Sequence, residues 1–320
     1  MSHEAVEVVV VGGGAAGLSA AVALARFRRD VVVVDEGRPR NAPADGVHNL
    51  LTRDGMPPFE LQALGRAEVE RYGGRIRRGQ AVTARRNDDD FEVELADGDT
   101  VSARRLIVAT GLSDQLPDVD GLGARWGRDV VHCPYCHGWE VRDTAVGVLA
   151  TTVAALHQVL LFRRLTDRVT YLAHTAPPLG DDQREQLDAL GVDVVEGRVA
   201  RLLVDDDRLA GVVLDDGRTV PVETLAVGPA AVAQSPVLDA LGLERRPHPL
   251  GAELGAAYPS EPGGITHLPG VYLAGNVTDL MAQVVSAAAA GLATAAQLNR
   301  DLVEEDVRRA VEARRVTIGR

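Results

Sequence analysis

The sequence predicts an α/β protein made of two Rossmann-like folds, the second inserted into the first. Three observations support this prediction. A strand–turn–helix–strand pattern opens the chain, a second such pattern lies near its middle, and similar segments with Asp-Gly turns occur twice. The 320 residues are enough for two domains of roughly 150 residues each.

The first unit is a βαβ pattern. The continuous apolar run at 6–11 is typical of a buried parallel strand, residues 18–27 have helical spacing, and 31–34 form a second apolar run. The pattern therefore predicts a strand, a tight turn, a helix and a second strand, which together form a βαβ unit.

That turn contains three glycines with the spacing of a dinucleotide-binding motif. Glycines permit a tight turn and a close approach of the backbone to a pyrophosphate, and the helix N-terminus supplies N–H donors. Asp35, with Glu36 as the neighbouring candidate, ends the next strand and is expected to accept hydrogen bonds from ribose hydroxyls. The predicted contact residues of the turn are Gly12, Gly14, Ala15, Ala16 and Gly17.

Two later segments, 75–111 and 193–228, repeat one order of features. Each has a strand, a glycine, an acidic tip such as 88–90, a second strand, an Asp-Gly pair and a final apolar strand. The Asp-Gly pairs at 97–98 and 216–217 lie between alternating apolar residues, which predicts hairpins. The chain therefore resembles a duplicated dinucleotide-binding fold.

The second βαβ pattern lies between the two copies, with predicted strands at 145–150 and 169–172 and a helix at 154–165. A strand at 269–274 and a helix rich in small residues at 282–298 then complete the first fold. The expected division is a first domain formed by residues 1–115 and 241–320, with an insert at 116–240.

Composition excludes some classes of partner. With 34 basic and 46 acidic residues the net charge is −12, which disfavours binding to nucleic acid. The N-terminus at 1–4 is acidic and runs directly into the first strand, so we expect no signal peptide. The helix at 282–298 is too short and too polar to span a bilayer. We expect a soluble cytoplasmic protein without a membrane partner.

Cys133 and Cys136 are the two cysteines of the chain, in the segment Cys-Pro-Tyr-Cys-His. A c-type haem attachment site would require export, and a zinc ion would require four converging ligands, which His132 and His137 do not easily complete. Two inert buried thiols are a third interpretation. The fourth is a redox dithiol, in which one thiolate attacks a disulfide and the other resolves it. The short spacing and the flanking histidines favour the redox dithiol, without a metal.

Along nearly its whole length the chain resembles the low-molecular-weight thioredoxin reductase family of flavoproteins. The resemblance rests on the turn at 12–17, on 109–111, on the cysteine pair and on 270–279. It implies FAD as cofactor, a homodimer, an outer Cys133 and a flavin-proximal Cys136. Asn276 replaces an Asp of the family, and an amide can still bind a hydroxyl. The further FAD contacts implied by the resemblance are Asn49, Val82, Thr110, Gly111, Gly275, Asn276 and Gln283.

The second nucleotide site departs from the family pattern. Ala150 and Thr152 stand where the family has glycines, and their Cβ atoms would obstruct a pyrophosphate. The following strand ends in 171–177 without the Arg cluster that grips a 2′-phosphate. We therefore expect no productive binding of NADPH.

His137 is a further departure, because the reductases have Asp after the second cysteine. The segment 136–140 resembles that of FAD-dependent dithiol oxidases, which close the disulfides of natural products such as gliotoxin and holomycin. The resemblance implies a small-molecule dithiol substrate, O₂ as acceptor and hydrogen peroxide as product. A neutral imidazole is also a better base for a thiol near pH 7 than a carboxylate. We therefore expect Cys133, Cys136 and His137 to be the catalytic residues.

Two other functions stay open. One is a thioredoxin-type disulfide reductase that uses NADPH or another donor such as ferredoxin, and the other is a flavin-bearing redox sensor without turnover. His48 either faces the flavin or is structural, and His132 packs or supports the site. The sequence does not distinguish among dithiol substrates.

Overall fold

The computed structural model describes residues 3–88 and 90–318. Two predictions therefore fall partly outside the described residues. Asp89 belongs to the predicted acidic hairpin tip, and Met1 and Ser2 belong to the N-terminus where no signal peptide is expected. Within that range the predicted α/β class with two Rossmann-like folds is confirmed.

Both folds combine βαβ units with runs of consecutive strands. The strands are β1 (His3–Val11), β2 (Val31–Asp35), β3 (Arg75–Arg78), β4 (Ala81–Asn87), β5 (Asp90–Leu95), β6 (Thr100–Val108), β7 (Leu112–Gln115), β8 (Val130–Val131), β9 (Val146–Leu149), β10 (Val169–Leu172), β11 (Asp193–Val195), β12 (Val199–Asp205), β13 (Arg208–Leu214), β14 (Thr219–Val220), β15 (Thr224–Val227), β16 (Ala230–Ala233), β17 (Arg246–Pro247), β18 (Gly255–Ala257) and β19 (Val271–Leu273). The helices are α1 (Ala15–Arg26), α2 (Pro58–Arg71), α3 (Leu122–Arg125), α4 (Pro134–His137), α5 (Ala155–Phe162), α6 (Asp181–Ala189), α7 (Pro236–Ala240) and α8 (Val284–Ile318).

The first sheet has the order β3-β2-β1-β6-β5-β4, and β19 pairs with β6 beside β5. Strand β1 runs parallel to both β2 and β6, and its residues Val8, Val9 and Val10 are fully buried. A strand buried on both faces has to be apolar at every position, which explains the continuous valine run. The glycine turn that follows β1 thus lies at the carboxyl edge of this sheet.

The second sheet has the order β11-β10-β9-β15-β8 and is parallel throughout. The predicted hairpins are present in both copies of the repeat. The copies differ at their last strand, because β6 is continuous whereas β14 and β15 are separate. Pro221 follows β14 and has no N–H to donate to a ladder, so the small sheet β12-β13-β14 separates from the parallel one.

A fourth sheet, with the order β17-β18-β16-β7, forms where the chain passes between the two folds. Strand β7 leaves the first fold and pairs antiparallel with β16, which returns from the second. Ala233, Val237 and Leu238 pack in the core of the first fold, although the sequence analysis assigned them to the insert. The division into domains stays a prediction, and this packing favours a boundary near Gly228.

Helix α8 is longer than predicted, and the prediction that it ends at residue 298 is wrong. The second half of α8 is charged, and ion pairs connect it to β6. Arg105 binds Asp301 at 2.6 Å and Glu305 at 2.7 Å, and Arg104 binds Asp306 at 2.7 Å. None of the described helices combines the length and the apolar character that crossing a membrane requires.

Candidate active site

The glycine turn after β1 packs closely against neighbouring backbone at two of its glycines and faces open space at a third. Gly12 has φ +107°, and an added Cβ there would lie 2.4 Å from the carbonyl oxygen of Ala109. A Cβ at Gly17 would lie 1.9 Å from the carbonyl oxygen of Gly12, so this glycine lets α1 pack against the turn. At Gly14 an added Cβ would meet no atom within 4 Å. Open space therefore lies at the N-terminus of α1, where a pyrophosphate would meet backbone donors.

Asp35 has a free acceptor beside this turn. Its Oδ1 accepts a hydrogen bond from the N–H of Gly13 at 3.2 Å, while the buried Oδ2 has no hydrogen-bond partner among the described residues. Arg66 and Arg78 stand 3.8 and 3.7 Å from that Oδ2. Glu36, in contrast, is exposed and pairs with Arg38. Of the two predicted ribose acceptors, Asp35 is the one with an unsatisfied buried oxygen.

The C-terminal segment closes the same cleft. Gly275, with φ +77°, lies so near α1 that an added Cβ would be 2.8 Å from the Cβ of Ala16. Thr110, directly after the Ala109 that packs on Gly12, has a buried Oγ1 without a hydrogen-bond partner in the described chain. Unsatisfied oxygens beside an open helix N-terminus fit a ligand that carries both hydroxyls and a pyrophosphate. The cleft thus fits FAD.

Three further predicted contacts border this region. The Asn276 side chain donates hydrogen bonds to the carbonyl oxygens of Asp279 and Ala282, both at 2.9 Å. Gln283 directly precedes α8 and is half-buried, and Val82 lies half-buried in β4. Gly111 has φ +73° and open space at its Cβ position. Their contacts with FAD stay predictions.

Asn49 contacts the cysteine segment. Its side-chain amide donates to the carbonyl oxygen of Tyr135, which lies between the two cysteines, and its own backbone has φ +58°. Asp54 supports this conformation by accepting from the N–H of Asn49 at 2.9 Å. The residue predicted to bind FAD therefore also connects the first fold to the dithiol segment.

His48 makes a second connection of this kind. Its Nδ1 lies 3.4 Å from Asp54, and its Nε2 lies 3.4 Å from Glu140 of the insert. The surrounding residues 47–56 close on themselves, since the N–H of Val47 donates to the carbonyl of Met56 at 2.8 Å. We call residues 47–56 the clasp. It holds the segment that carries the dithiol against the first fold.

The dithiol lies at the start of the short helix α4. Cys133 and Cys136 are both free thiols and both half-buried. A hydrogen bond from the Cys136 thiol, aided by the N–H groups of Cys136 and Tyr135 and by the charge of Arg40, lowers the pKa of Cys133 to about 7. The same pairing, together with burial, raises the pKa of Cys136. The reduced pair therefore consists of one thiolate and one thiol near neutral pH.

His137 is the free base of the site. Both of its ring nitrogens are buried and lack a hydrogen-bond partner in the part of the chain that the structure describes. Burial lowers its pKa below the ordinary value, so the imidazole is neutral at pH 7. His132 differs, because its Nδ1 lies 3.0 Å from the carbonyl oxygen of Val227 and donates to it. His132 therefore supports the strand end, whereas His137 has its hydrogen-bonding capacity left for a ligand.

The second nucleotide turn uses some of its polar groups in hydrogen bonds within the chain. Ala150 is fully buried, and its carbonyl accepts from the N–H groups of Thr175 and Ala176 at 3.1 and 3.0 Å. The hydroxyl of Thr152 accepts from the N–H of Ala154 at 3.2 Å, immediately before α5. A helix N-terminus binds phosphate through such free N–H groups, and here the chain uses one itself.

The strand end beyond this turn carries no free cation for a 2′-phosphate among the residues predicted to face it. His174 accepts from the N–H of Val199 at 3.0 Å, and burial lowers its pKa. Arg184, the first arginine after this strand, pairs with Glu196 at 2.8 Å. The geometry therefore agrees with the departure seen in the sequence.

Three residues of the site, Arg40, Asp54 and Asp114, are not among those that the sequence predicts. Arg40 and Asp114 form a two-point ion pair at 2.8 and 2.6 Å near the dithiol, and Asp54 organises the clasp. Arg40 and Asp114 are 74 residues apart, so no local pattern could indicate the pair. The one signal in the sequence for a structural role of Asp54 is its position near the end of a loop rich in turn-forming residues.

Comparison with known proteins agrees with this geometry. Residues 6–291 match the pyridine nucleotide-disulphide oxidoreductase family. Thioredoxin reductase tcpT of Claviceps purpurea is 33% identical over 300 residues, covering 89% of this chain and 91% of that protein. Thioredoxin reductase sirT of Leptosphaeria maculans is 30% identical over 318 residues, covering 94% and 95%. The crystal structure of HlmI matches with a TM-score of 0.91 and 45% identity over 99% of both chains. The chain belongs to the pyridine nucleotide-disulphide oxidoreductase family, as a thioredoxin reductase-like flavoenzyme that binds FAD.

Proposed function

We propose that this flavoenzyme is a dithiol oxidase that forms an intramolecular disulfide in a small natural-product dithiol. One molecule of dithiol and one of O₂ would give one disulfide and one hydrogen peroxide. The observation that carries the proposal is the second nucleotide turn, where the Ala150 carbonyl and the N–H of Ala154 are hydrogen-bonded within the chain. If NADPH does not bind there, a thiol substrate is an electron source that the cysteine pair itself can accept from.

The exchange steps use the pair Cys133 and Cys136 in its oxidised form. A substrate thiolate attacks the Sγ of Cys133, the bond between the two cysteines breaks, and Cys136 leaves as a thiolate. The second substrate thiol then attacks the substrate sulfur of the mixed disulfide, which releases the cyclic product and the Cys133 thiolate. Cys133 has a pKa of about 7 when the Cys136 thiol donates to it, so uptake of a proton by Cys136 makes the Cys133 thiolate a good leaving group at neutral pH.

His137 is the group that we assign to proton removal in this step. Its neutral, unpartnered imidazole is adjacent in sequence to Cys136 and can accept the proton of the second substrate thiol. FAD, when bound, takes up the electron pair of the enzyme dithiol and passes it to O₂.

A second candidate function is the reduction of a thioredoxin-like disulfide with electrons from NADPH or another donor such as ferredoxin. The observation that favours it is the name thioredoxin reductase carried by the relatives tcpT and sirT. This candidate reverses the direction of electron flow through the same cysteines.

Anaerobic and aerobic mixing of the holoenzyme distinguish the two functions. We expect a small dithiol such as dithiothreitol to bleach the flavin without oxygen and to drive oxygen uptake and peroxide formation in air. NADPH should do neither. Rapid bleaching by NADPH would favour the reductase, and failure of every dithiol would leave the redox sensor.

The role of His137 has a matched control in the insert. We expect His137→Asn to slow oxygen uptake with dithiol by about 10²-fold, because general-base catalysis contributes about that much. His157→Asn changes an exposed histidine of α5 and should act like the wild type. Equal rates for all three proteins would remove His137 from the mechanism.

The order of the cysteines is tested with a small aromatic disulfide probe. Cys136→Ser should form a mixed disulfide at Cys133 faster than Cys133→Ser does at Cys136. The reverse order of rates would exchange the two roles.

We also propose a homodimer and a cytoplasmic location, both from the resemblance. Light scattering should give a mass twice that of the 33.9 kDa chain. A monomer at micromolar concentration would contradict the homodimer.

A further inference from the structure

We infer that Asn276 is a positioning residue for FAD that acts as a double hydrogen-bond donor, a role that the Asp of the related reductases cannot fill. The inference concerns FAD retention and does not depend on dithiol oxidation. Asn276 directly follows Gly275, which packs against α1, and it precedes the start of α8.

The donor role follows from the chemistry of the partners. The Nδ2 of Asn276 lies 2.9 Å from the carbonyl oxygen of Asp279 and 2.9 Å from that of Ala282. Both partners are backbone carbonyls, which only accept, so the side chain has to present its NH₂ group to them. Both N–H bonds are thereby used, and the Oδ1 is left as an acceptor.

These two bonds close the loop that leads into α8. The N–H of Met281 donates to the Asp279 side chain at 3.0 Å, and the N–H of Ala282 donates to the Asp279 carbonyl at 3.2 Å. Gln283 comes next, and α8 begins at Val284. The side chain of Asn276 thus sets where the first turn of α8 and Gln283 stand.

The same segment is anchored to the cleft on its other side. Gly275 packs against Ala16 of α1, and a Cβ at Gly291 of α8 would lie 2.0 Å from the Ala16 carbonyl oxygen. Helix α8 and α1 therefore touch backbone to backbone, and a shift of the loop moves α8 against the predicted FAD turn. The Asn276 amide therefore fixes the loop before α8, and the loop fixes the position of α8. Helix α8 in turn borders the cleft that is predicted to bind FAD.

An ionised carboxylate at this position would be unfavourable in this chain. It has no N–H, and its oxygens would face two carbonyl oxygens. Asn276→Asp should therefore open the loop and weaken FAD binding about tenfold or more, since two hydrogen bonds are lost.

The matched control is the same Asn-to-Asp change at a position where the asparagine side chain accepts a hydrogen bond. Asn299 in α8 accepts from the Arg29 guanidinium at 2.8 Å, and a carboxylate can accept equally well. Asn299→Asp should therefore retain FAD like the wild type. Equal loss of FAD in both variants would show general destabilisation and would overturn the inference.

The experiment follows FAD release from the holoenzyme by its fluorescence, with hydrogen exchange of the amides at 279–283 as a second readout. Asn276→Asp should release FAD faster and exchange faster at these amides. Lowering the pH from 7.5 to 5.5 should reverse part of the loss, because a protonated carboxyl regains one donor and carbonyl neighbours raise its pKa. The wild type should show no such recovery.

Asn276→Ser provides the deciding variant if Asn276→Asp does not fold. Its hydroxyl supplies one donor in place of two, so its FAD release should lie between those of the wild type and Asn276→Asp. Wild-type retention of FAD and wild-type exchange in both variants would overturn the inference.

Discussion

The two nucleotide turns of this chain have the same architecture and differ at the N-terminus of the helix that follows. In the first, an added Cβ at Gly14 would meet open space, and the buried Oδ2 of Asp35 has no hydrogen-bond partner in the described chain. In the second, the carbonyl of Ala150 and the N–H of Ala154 are already hydrogen-bonded. The positions that correspond in the two turns are Gly12 and Ala150, Gly14 and Thr152, and Gly17 and Ala155.

Under the proposed function, this difference would let the second Rossmann-like fold keep its sheet without binding NADPH. The Cβ atoms of Ala150 and Thr152 and the Thr152 hydroxyl would then occupy space and a donor that a phosphate needs. The second fold still carries Cys133, directly before α4, and Cys136, within α4, between β8 and β9. We conclude that its structure is suited to holding the dithiol at the clasp, and four predictions test this contrast.

The largest effect is expected from Gly17→Ala, which places in the first turn the residue type that the second turn has at the equivalent position. The new Cβ would lie 1.9 Å from the Gly12 carbonyl oxygen, so α1 would have to move away from β1. Such overpacking costs about 1–3 kcal/mol of unfolding free energy or more, and the FAD turn is distorted. The ratio of flavin to protein absorbance should fall to near zero.

The control for this prediction lies at the equivalent position of the second turn. Ala155→Gly should cost about 1 kcal/mol through helix propensity and leave the FAD content unchanged. Full FAD content in Gly17→Ala would show that the close approach of helix and turn is not needed.

The next effect concerns the dithiol that the second fold holds. Cys136→Ala removes the thiol that most stabilises the Cys133 thiolate, and a hydrogen bond to a charged group is worth about one pKa unit. The pKa of Cys133 should therefore rise from about 7 to about 8, and its alkylation by iodoacetamide below pH 7 should slow about tenfold.

Cys136→Ser is the matched control, because it keeps an O–H donor. Its shift in the pKa of Cys133 should be smaller than that of Cys136→Ala. A Cys133 that alkylates equally fast in both variants at every pH would contradict the role of the Cys136 thiol.

A smaller effect is expected where the clasp joins the two folds. Asn49→Ala removes the hydrogen bond to the Tyr135 carbonyl, which is worth about 1 kcal/mol. The melting temperature should fall by about 2–4 °C, and Cys133 of the reduced enzyme should become more accessible to alkylation. Thr52→Ala in the exposed clasp tip is the control, and no difference between the two variants would show that the Asn49 contact is not used.

The smallest effect is expected from restoring glycines to the second turn. The double variant Ala150→Gly and Thr152→Gly should still show no reduction of the flavin by NADPH, because His174 and Arg184 remain bound to neighbours within the chain. Anaerobic mixing with NADPH measures this directly. Bleaching of the flavin by the variant would show that side chains at the turn alone exclude the nucleotide.

Much of the fold could be predicted because its signals are local. The valine run of β1, the glycines of the first turn and the Asp-Gly hairpins each act within a few residues. The end of α8 could not be predicted from its small-residue pattern. Its charged half is held by Arg104 and Arg105, which come from β6 about 200 residues earlier.

The candidate site shows the same division. The cysteine pair and His137 could be recognised by spacing, and so could the loss of glycines at the second turn. The clasp could not be recognised, since Asn49 meets Tyr135 across 86 residues and His48 meets Glu140 across the two folds. Asn276 was seen as a departure from the family, but its partners depend on the conformation of the following loop.

The sequence by itself determined which backbone segments can approach a phosphate, because a glycine or a Cβ at a turn acts on its immediate neighbours. It also determined that two thiols and an imidazole are adjacent. Tertiary structure alone decided which of these groups are already satisfied. Desolvation, hydrogen bonding and ion pairing depend on residues brought together from distant parts of the chain, and those contacts leave His137 and Asp35 with free atoms while they occupy His132 and Ala150.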